Sequence, residues 1–299
     1  MAERFSCALA SLASGEPCYG TASQVRRWIL VEQAGGWGYD AVLDSRLPTD
    51  VAVALKAAGR RNQARVVLIR RHGRSAPSRT VCYAAVTTPR ARWIERFWIE
   101  APEQLAEIDW SPLKQGASVG GEPVEHPLYL VCTNGSHDPC CAVFGRPVAQ
   151  VLSARHPEET WEVSHIGGDR FAGNLVCLPD GVYYGRVTPD NAVALVSGHE
   201  RGHVDLTHYR GRSFHSFPVQ AAEQLVREAR RLTGLEQVGV RSVEALDRET
   251  FRVELALPDE GVVATVACAP AIDPQQLTCR STHPEHPPRY RLADLQPLG

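Results

Sequence analysis

Two cysteines, one histidine and one aspartate stand out for the chemistry that their types and spacing allow. Cys132 ends the apolar run PLYLVC, and Cys141 follows nine positions later across the loop TNGSHDPC, which contains Gly135 and Pro139. Two thiolates so placed can close around a metal, because the loop between them is long enough to fold back. Thiolate is a soft ligand suited to zinc, copper or iron–sulfur clusters, and imidazole suits several of the same metals. The next candidate is therefore the segment SHIGGDRFAGN, where His165 and Asp169 flank Ile-Gly-Gly. Its glycines let the backbone approach a bulky inorganic centre and leave amides free to hydrogen-bond sulfide. The plain alternative is a tight turn before a helix, with Asp169 as the cap and His165 satisfied by a neighbour. On spacing alone a mononuclear zinc held by Cys132, Cys141, His165 and Asp169 competes evenly with an iron–sulfur centre.

Other candidates carry less. Cys140 and Arg146 have the five-residue separation of a phosphate-cradling nucleophile, but the intervening CAVFG is bulky and has a single glycine, whereas such a cradle needs several inward-pointing amides. No two cysteines are separated by two residues, which disfavours thioredoxin-type disulfide exchange. His199 and His203 have a helical metal-ligand spacing within SGHERGHVDLTHYRG, yet the composition reads as an exposed loop or helix start. His283 and His286 fall in the loop THPEHPPRY and read as solvated. Cys7, Cys18, Cys82, Cys268 and Cys279 read as buried small hydrophobes. Arg70-Arg71 and Arg227-Arg230-Arg231 read as solvated faces, and Arg210 and Arg212 as helix-end or partner contacts.

These residues need a scaffold, and the alternation of elements supplies one. RRWILVEQAGGWGYDAV reads as a strand, a Gly-rich turn and an opening helix; Val51 to Ala58 reads as helix, and RVVLIRR and VCYAAVT read as strands. The second half follows the same plan. PLYLVC is a strand, AVFGRPVAQVLSAR a helix with Pro147 near its start, WEVSHIGG a strand entering a loop, NLVCLPDGVYYGRV a hairpin, and PVQAAEQLVREARRL an amphipathic helix. Beyond Gly234 the runs FRVELAL, GVVATVACA, LTCRS and YRLADL predict a small antiparallel appendage. The expected fold is α/β, with two similar halves built on mixed sheets plus a small C-terminal antiparallel β module, divided as 1–125, 126–233 and 234–299.

Composition excludes several classes. At 299 residues, 22% charged and 43% hydrophobic, the chain can bury a large core without staples. A net charge of −2 gives no electrostatic reason for a nucleic-acid partner. No apolar run reaches the ~20 residues of a membrane span, and nine cysteines without paired spacing do not form a secreted disulfide framework. The N-terminal stretch lacks the pattern of a secretory leader, so the expected location is cytoplasmic.

Taken together, LYLVC with Cys141, SHIGGDRFAGN, LPDGVYYGRV, RGRS with PVQAAE, and the opening RRWILVEQAGGWG resemble the sucrase/ferredoxin-like family over roughly residues 5 to 235. The resemblance implies a thioredoxin-like fold and a [2Fe-2S] cluster held in characterised members by two cysteines and two histidines, the histidines separated by three residues across a Gly-Gly loop. Carried over by motif, the cysteines are Cys132 and Cys141 and the first histidine is His165, while Asp169 stands in the place of the second. That departure leaves several arrangements open: ligation by Asp169, substitution by Cys140, His137 or Cys177, a water, or a member without a cluster. The implied role is electron transfer with a reductase or acceptor protein as partner, rather than enzymatic catalysis, and a homodimer is among the open assemblies. The sequence shows no carboxylate pair for the sugar hydrolysis in the family's name.

Overall fold

The computed structural model describes residues 5–73 and 79–298, so residues 1–4 of the N-terminal stretch lie outside it. A short helix α1 (Cys7–Ala13) leads into strand β1 (Arg27–Glu32), helix α2 (Thr49–Asn62), and strands β2 (Arg65–Arg70), β3 (Thr80–Thr87) and β4 (Arg92–Ile99). After helix α3 (Gln104–Glu107) and the two-residue strand β5 (Glu122–Pro123) the pattern restarts with β6 (Leu128–Cys132), α4 (Pro139–Arg155), β7 (Thr160–Val163), β8 (Leu175–Leu178) and β9 (Val182–Tyr184). Helix α5 (Pro189–Glu200), strand β10 (Tyr209–Arg212) and helix α6 (Phe217–Arg230) follow, and strands β11 (Gly239–Ala245), β12 (Thr250–Ala256), β13 (Gly261–Pro270) and β14 (Pro288–Pro297) end the chain.

The two halves have one topology. In the first, β1 pairs in parallel with β2 and antiparallel with β3, which pairs antiparallel with β4. In the second, β6 pairs in parallel with β7 and antiparallel with β8, which pairs antiparallel with β9. Each is the thioredoxin-like order, with a crossover helix carrying the parallel pair. An antiparallel pairing of β2 with β7, through Ile69 with Val163 and Arg70 with Glu162, joins the halves into one ten-stranded sheet. The sheet curls: Trp28 of β1 and Tyr183 of β9 lie on strands far apart in the sheet order, yet their rings are 6.4 Å apart. One core, including Trp28, Leu30, Ile69, Leu130, Val163 and Tyr183, fills the concave face across both halves.

Helix α2 carries Val51, Ala52, Leu55 and Ala58 on its buried face, with Asp50 in its first turn and Arg60 and Arg61 in its last, charges that suit the helix dipole. Helix α4 starts at Pro139, where the Asp138 carboxylate accepts the Cys140 N–H as the N-cap, and it buries Gly145, Val148, Ala149 and Leu152. Pro147 therefore lies in the middle of this helix and not near its start, because Asp138-Pro139 supplies the cap and first turn that set the beginning. The four-stranded antiparallel C-terminal sheet packs Val253, Leu255, Val262, Ala264 and Val266 against α6. LTCRS is not one of its strands but part of the turn-rich segment between β13 and β14, whereas β11 is an additional strand.

Several charges expected at the surface are buried. Arg70 is held by Glu162, and Arg227 sits at 0% exposure against Glu223 while donating to the Gly234 and Leu235 carbonyls. Arg210 and Arg212 are also interior, and His199 lies inside α5 between the Tyr184 hydroxyl and the Asp180 carboxylate. Each has a buried partner, which makes an interior position affordable.

Candidate metal centre

Strand β6 ends at Cys132, and the first turns of α4 bring Cys141 back over that strand end. The close seating of α4 depends on Gly145, where a Cβ would stand 2.0 Å from the Cys132 carbonyl oxygen. His165 enters from the loop after β7. One donor atom from each of Cys132, Cys141 and His165 lies within 4.8 Å of the others, and His137, His165 and Asp169 form an overlapping group. Asp169 Oδ1 accepts from Cys141 Sγ at 3.1 Å and lies 3.0 Å from His165 Nδ1. The Asp169 carboxylate is thus the charged neighbour of the buried His165 Nδ1.

Asp169 opens a short 3₁₀ turn, Asp169–Phe171, instead of capping it; Gly168 holds the cap position. The loop before it is built by the two glycines, at φ +94° for Gly167 and +82° for Gly168. A Cβ at Gly168 would meet the Arg210 guanidinium at 2.3 Å. The loop carbonyls are tied from several directions. Arg65 donates to His165 O at 2.9 Å and Ile166 O at 3.2 Å, Ser23 to Ile166 O at 2.8 Å, Arg210 to Gly167 O at 3.0 Å, and Asn174 to Gly168 O at 2.8 Å. Arg65, Ser23, Arg210 and Asn174 hold this loop in place and were not revealed by spacing; Arg210 in RGRS and Asn174 at the end of SHIGGDRFAGN lay within motifs visible in the sequence.

Among the substitute ligands, only His137 joins the set, its ring stacked on His165 at 3.6 Å with Nε2 3.8 Å from Asp169. Cys177 packs in the core on the other face of the sheet, and Cys140 turns toward α1. Electrostatics favours one thiolate and one carboxylate. The neighbouring Cys141 thiol stabilises the Cys132 thiolate against burial and lowers it to about 7, while the same pairing and burial push Cys141 up. Burial opposes the Asp169 carboxylate, but the adjacent His165 and Cys141 outweigh it and hold it below the usual range. Burial and then the His165 charge lower His137.

Cys132 and Cys141 are buried, while His165 borders a cleft of about 570 Å³ lined from the first half by Tyr39, Lys56, Arg60 and Arg65. The site thus lies where the two halves meet, with one donor facing out.

The sucrase/ferredoxin-like family model matches residues 18–211. The chain belongs to this family. Family membership covers both halves of the curled sheet and takes in every donor above. A relative, altered inheritance of mitochondria protein 32 of Meyerozyma guilliermondii, is 30% identical over 127 residues, 36% of this chain; the chain spans 44% of that protein's length. The thioredoxin-like [2Fe-2S] ferredoxin of Aquifex aeolicus matches at 23% identity over 26% of this family member and 84% of its own chain, and its Cys59Ser variant at 22% over 26% and 91%, both with a TM-score of 0.23. No helix among the described residues is long and apolar enough to cross a membrane.

Proposed function

We propose that this chain is an electron-transfer protein whose [2Fe-2S] cluster is held by Cys132, Cys141, His165 and Asp169. The observation that carries the reading is the convergence of two buried thiols, the His165 imidazole and the buried Asp169 carboxylate beyond the end of one strand, in a chain of the sucrase/ferredoxin-like family. Thiols and a carboxylate gathered in the interior are costly to leave charged, and a metal cation between them offsets that cost. When bound, the cluster would supply reversible one-electron chemistry. The chain's own residues do the rest. Cys132 and Cys141 offer the soft donors, the pinned Gly167-Gly168 loop sets His165 and Asp169 opposite them, and the buried surroundings keep water from the sulfurs. His165, facing the cleft, is the donor a docked reductase or acceptor protein would approach.

A second reading has its own support. Donors drawn this close together also suit a single tetrahedral zinc. Protein purified without oxygen separates the two: visible absorption bands, iron and sulfide at about two each per chain, and a paramagnetic signal after dithionite reduction are the expected result. A colourless protein with one zinc blocked by substitution of Cys132 and Cys141 would replace the electron-transfer reading with the zinc one.

A further inference from the structure

A second set of cysteines converges 133 and 139 residues apart in sequence. Cys7 begins α1, Cys140 lies in the first turn of α4, and Cys279 belongs to the segment between β13 and β14. With Asp138, one donor atom from each lies within 4.8 Å of the others. Cys140 Sγ and Cys279 Sγ are 3.4 Å apart, and Cys7 Sγ is 3.7 and 3.8 Å from the two Asp138 oxygens. Four donors on a tetrahedral zinc with Zn–S near 2.3 Å stand roughly 3.8 Å apart. The spacing of these atoms is already close to that without any rearrangement of the backbone.

The charge pattern points the same way. Asp138 is fully buried, and among the described residues no Lys, Arg or His comes within ion-pair distance of it. Its oxygens accept the Cys140 N–H at 2.8 Å and the Cys279 N–H at 2.7 Å, and each keeps a lone pair. A buried carboxylate with two amides and three thiols around it lacks a cation. The surrounding polar groups suit thiolates: Ser6 Oγ lies 3.2 Å from Cys140 Sγ, and the Cys7 N–H donates to Cys279 Sγ at 3.4 Å. Such outer hydrogen bonds orient and stabilise metal-bound sulfur.

We propose that Cys7, Cys140, Cys279 and Asp138 form a structural zinc site that clips the N-terminal helix and the C-terminal module onto the start of α4. All four positions are filled by the chain, which is the mark of a structural and not a catalytic zinc. On binding, the thiols release their protons to solvent and no electron moves. The adjacent pair Cys140-Cys141 thus serves two centres, one on each side of the helix start. This site is independent of the electron-transfer reading.

The test uses the full-length chain carrying Cys132→Ser and Cys141→Ser, prepared reduced and metal-free, which removes the first centre. Titration with Co²⁺ is expected to give one ion per chain with tetrahedral d–d bands and thiolate charge transfer, displaced by one Zn²⁺. Adding Cys7→Ser and Cys279→Ser should weaken zinc binding by at least ~100-fold, and Asp138→Asn, which keeps a good N-cap, by ~10-fold. In the unsubstituted chain, zinc should slow alkylation of Cys140 and Cys279 by at least tenfold, a readout that needs no variant to fold. Absence of cobalt or zinc binding in the first variant, retained binding after loss of Cys7 and Cys279, or unprotected Cys140 and Cys279 at saturating zinc would each overturn the proposal. Full affinity in the Asp138→Asn chain would overturn the four-ligand assignment.

Discussion

Gly145→Ala is the sharpest test of how the fold makes the first centre. The new Cβ would sit 2.0 Å from the Cys132 carbonyl oxygen and 3.1 Å from its carbon, where ordinary contact begins at 3.4 Å. The difference, about 1.4 Å, must come from separating α4 and β6, since both partners are backbone and neither can rotate away. Alanine is the better helix former by about 1 kcal/mol, so propensity alone predicts stabilisation. Overpacking of a closed core costs about 1–3 kcal/mol, sometimes more, and here it acts on a main-chain carbonyl. Because the clash falls on backbone the upper half of that range applies, and the net expectation is a loss of about 1–2 kcal/mol in urea unfolding. Cys141 lies one turn before Gly145 on the same helix, so the same displacement carries it away from Cys132. Metal or cluster content should therefore fall at least ~10-fold, more than a comparable loss of stability elsewhere would cause. An alanine variant with unchanged stability and full metal content would refute the view that the close approach at Gly145 sets the pairing of the two cysteines.

Three further outcomes are expected. Glu162 accepts from Arg70 at 2.7 and 2.9 Å and from Thr133 at 2.8 Å at the seam between β2 and β7, so Glu162→Gln should cost about 3–5 kcal/mol by leaving Arg70 buried without its counter-charge; denaturant unfolding measures it, and replacing both Arg70 and Glu162 with apolar residues should recover most of the loss. Burial, with Arg212 and Arg26 adding to it and Glu223 opposing it, lowers His215 to about 4 from 6.5. Between those values the unfolded chain takes up the proton first, so stability is full above about pH 6.5 and falls toward pH 4, by about 1–3 kcal/mol; His215→Gln should flatten that window in pH-dependent unfolding, and an unchanged slope would exclude His215 as its source. If the centre holds a [2Fe-2S] cluster, Asp169→His replaces an anionic donor with a neutral one and should raise the reduction potential by on the order of 100 mV; protein-film voltammetry showing no rise would remove Asp169 from the ligand set.

What the sequence determined by itself is local. The runs ending at Cys132 and leading to His165, the nine-residue return to Cys141, and the Gly167-Gly168 loop all depend on periodicity and turn chemistry within a few residues, so strands, loop and candidate donors were legible together. The repeated order of elements likewise exposed the two similar halves and the separate β module. Tertiary structure decided which surfaces meet. Nothing near Arg70 or Arg210 in sequence announces the groups that allow them to be buried, because Glu162 and Asn174 lie on other segments; Arg227 has Glu223 one turn away, but the Leu235 carbonyl that completes its site lies beyond the helix end. The pairing of β2 with β7 arises from apolar faces that close over one shared core. The gathering of Cys7, Cys140 and Cys279 is of the same kind: each looks like an ordinary small buried residue alone, and only packing of the two chain ends onto α4 brings the thiols together.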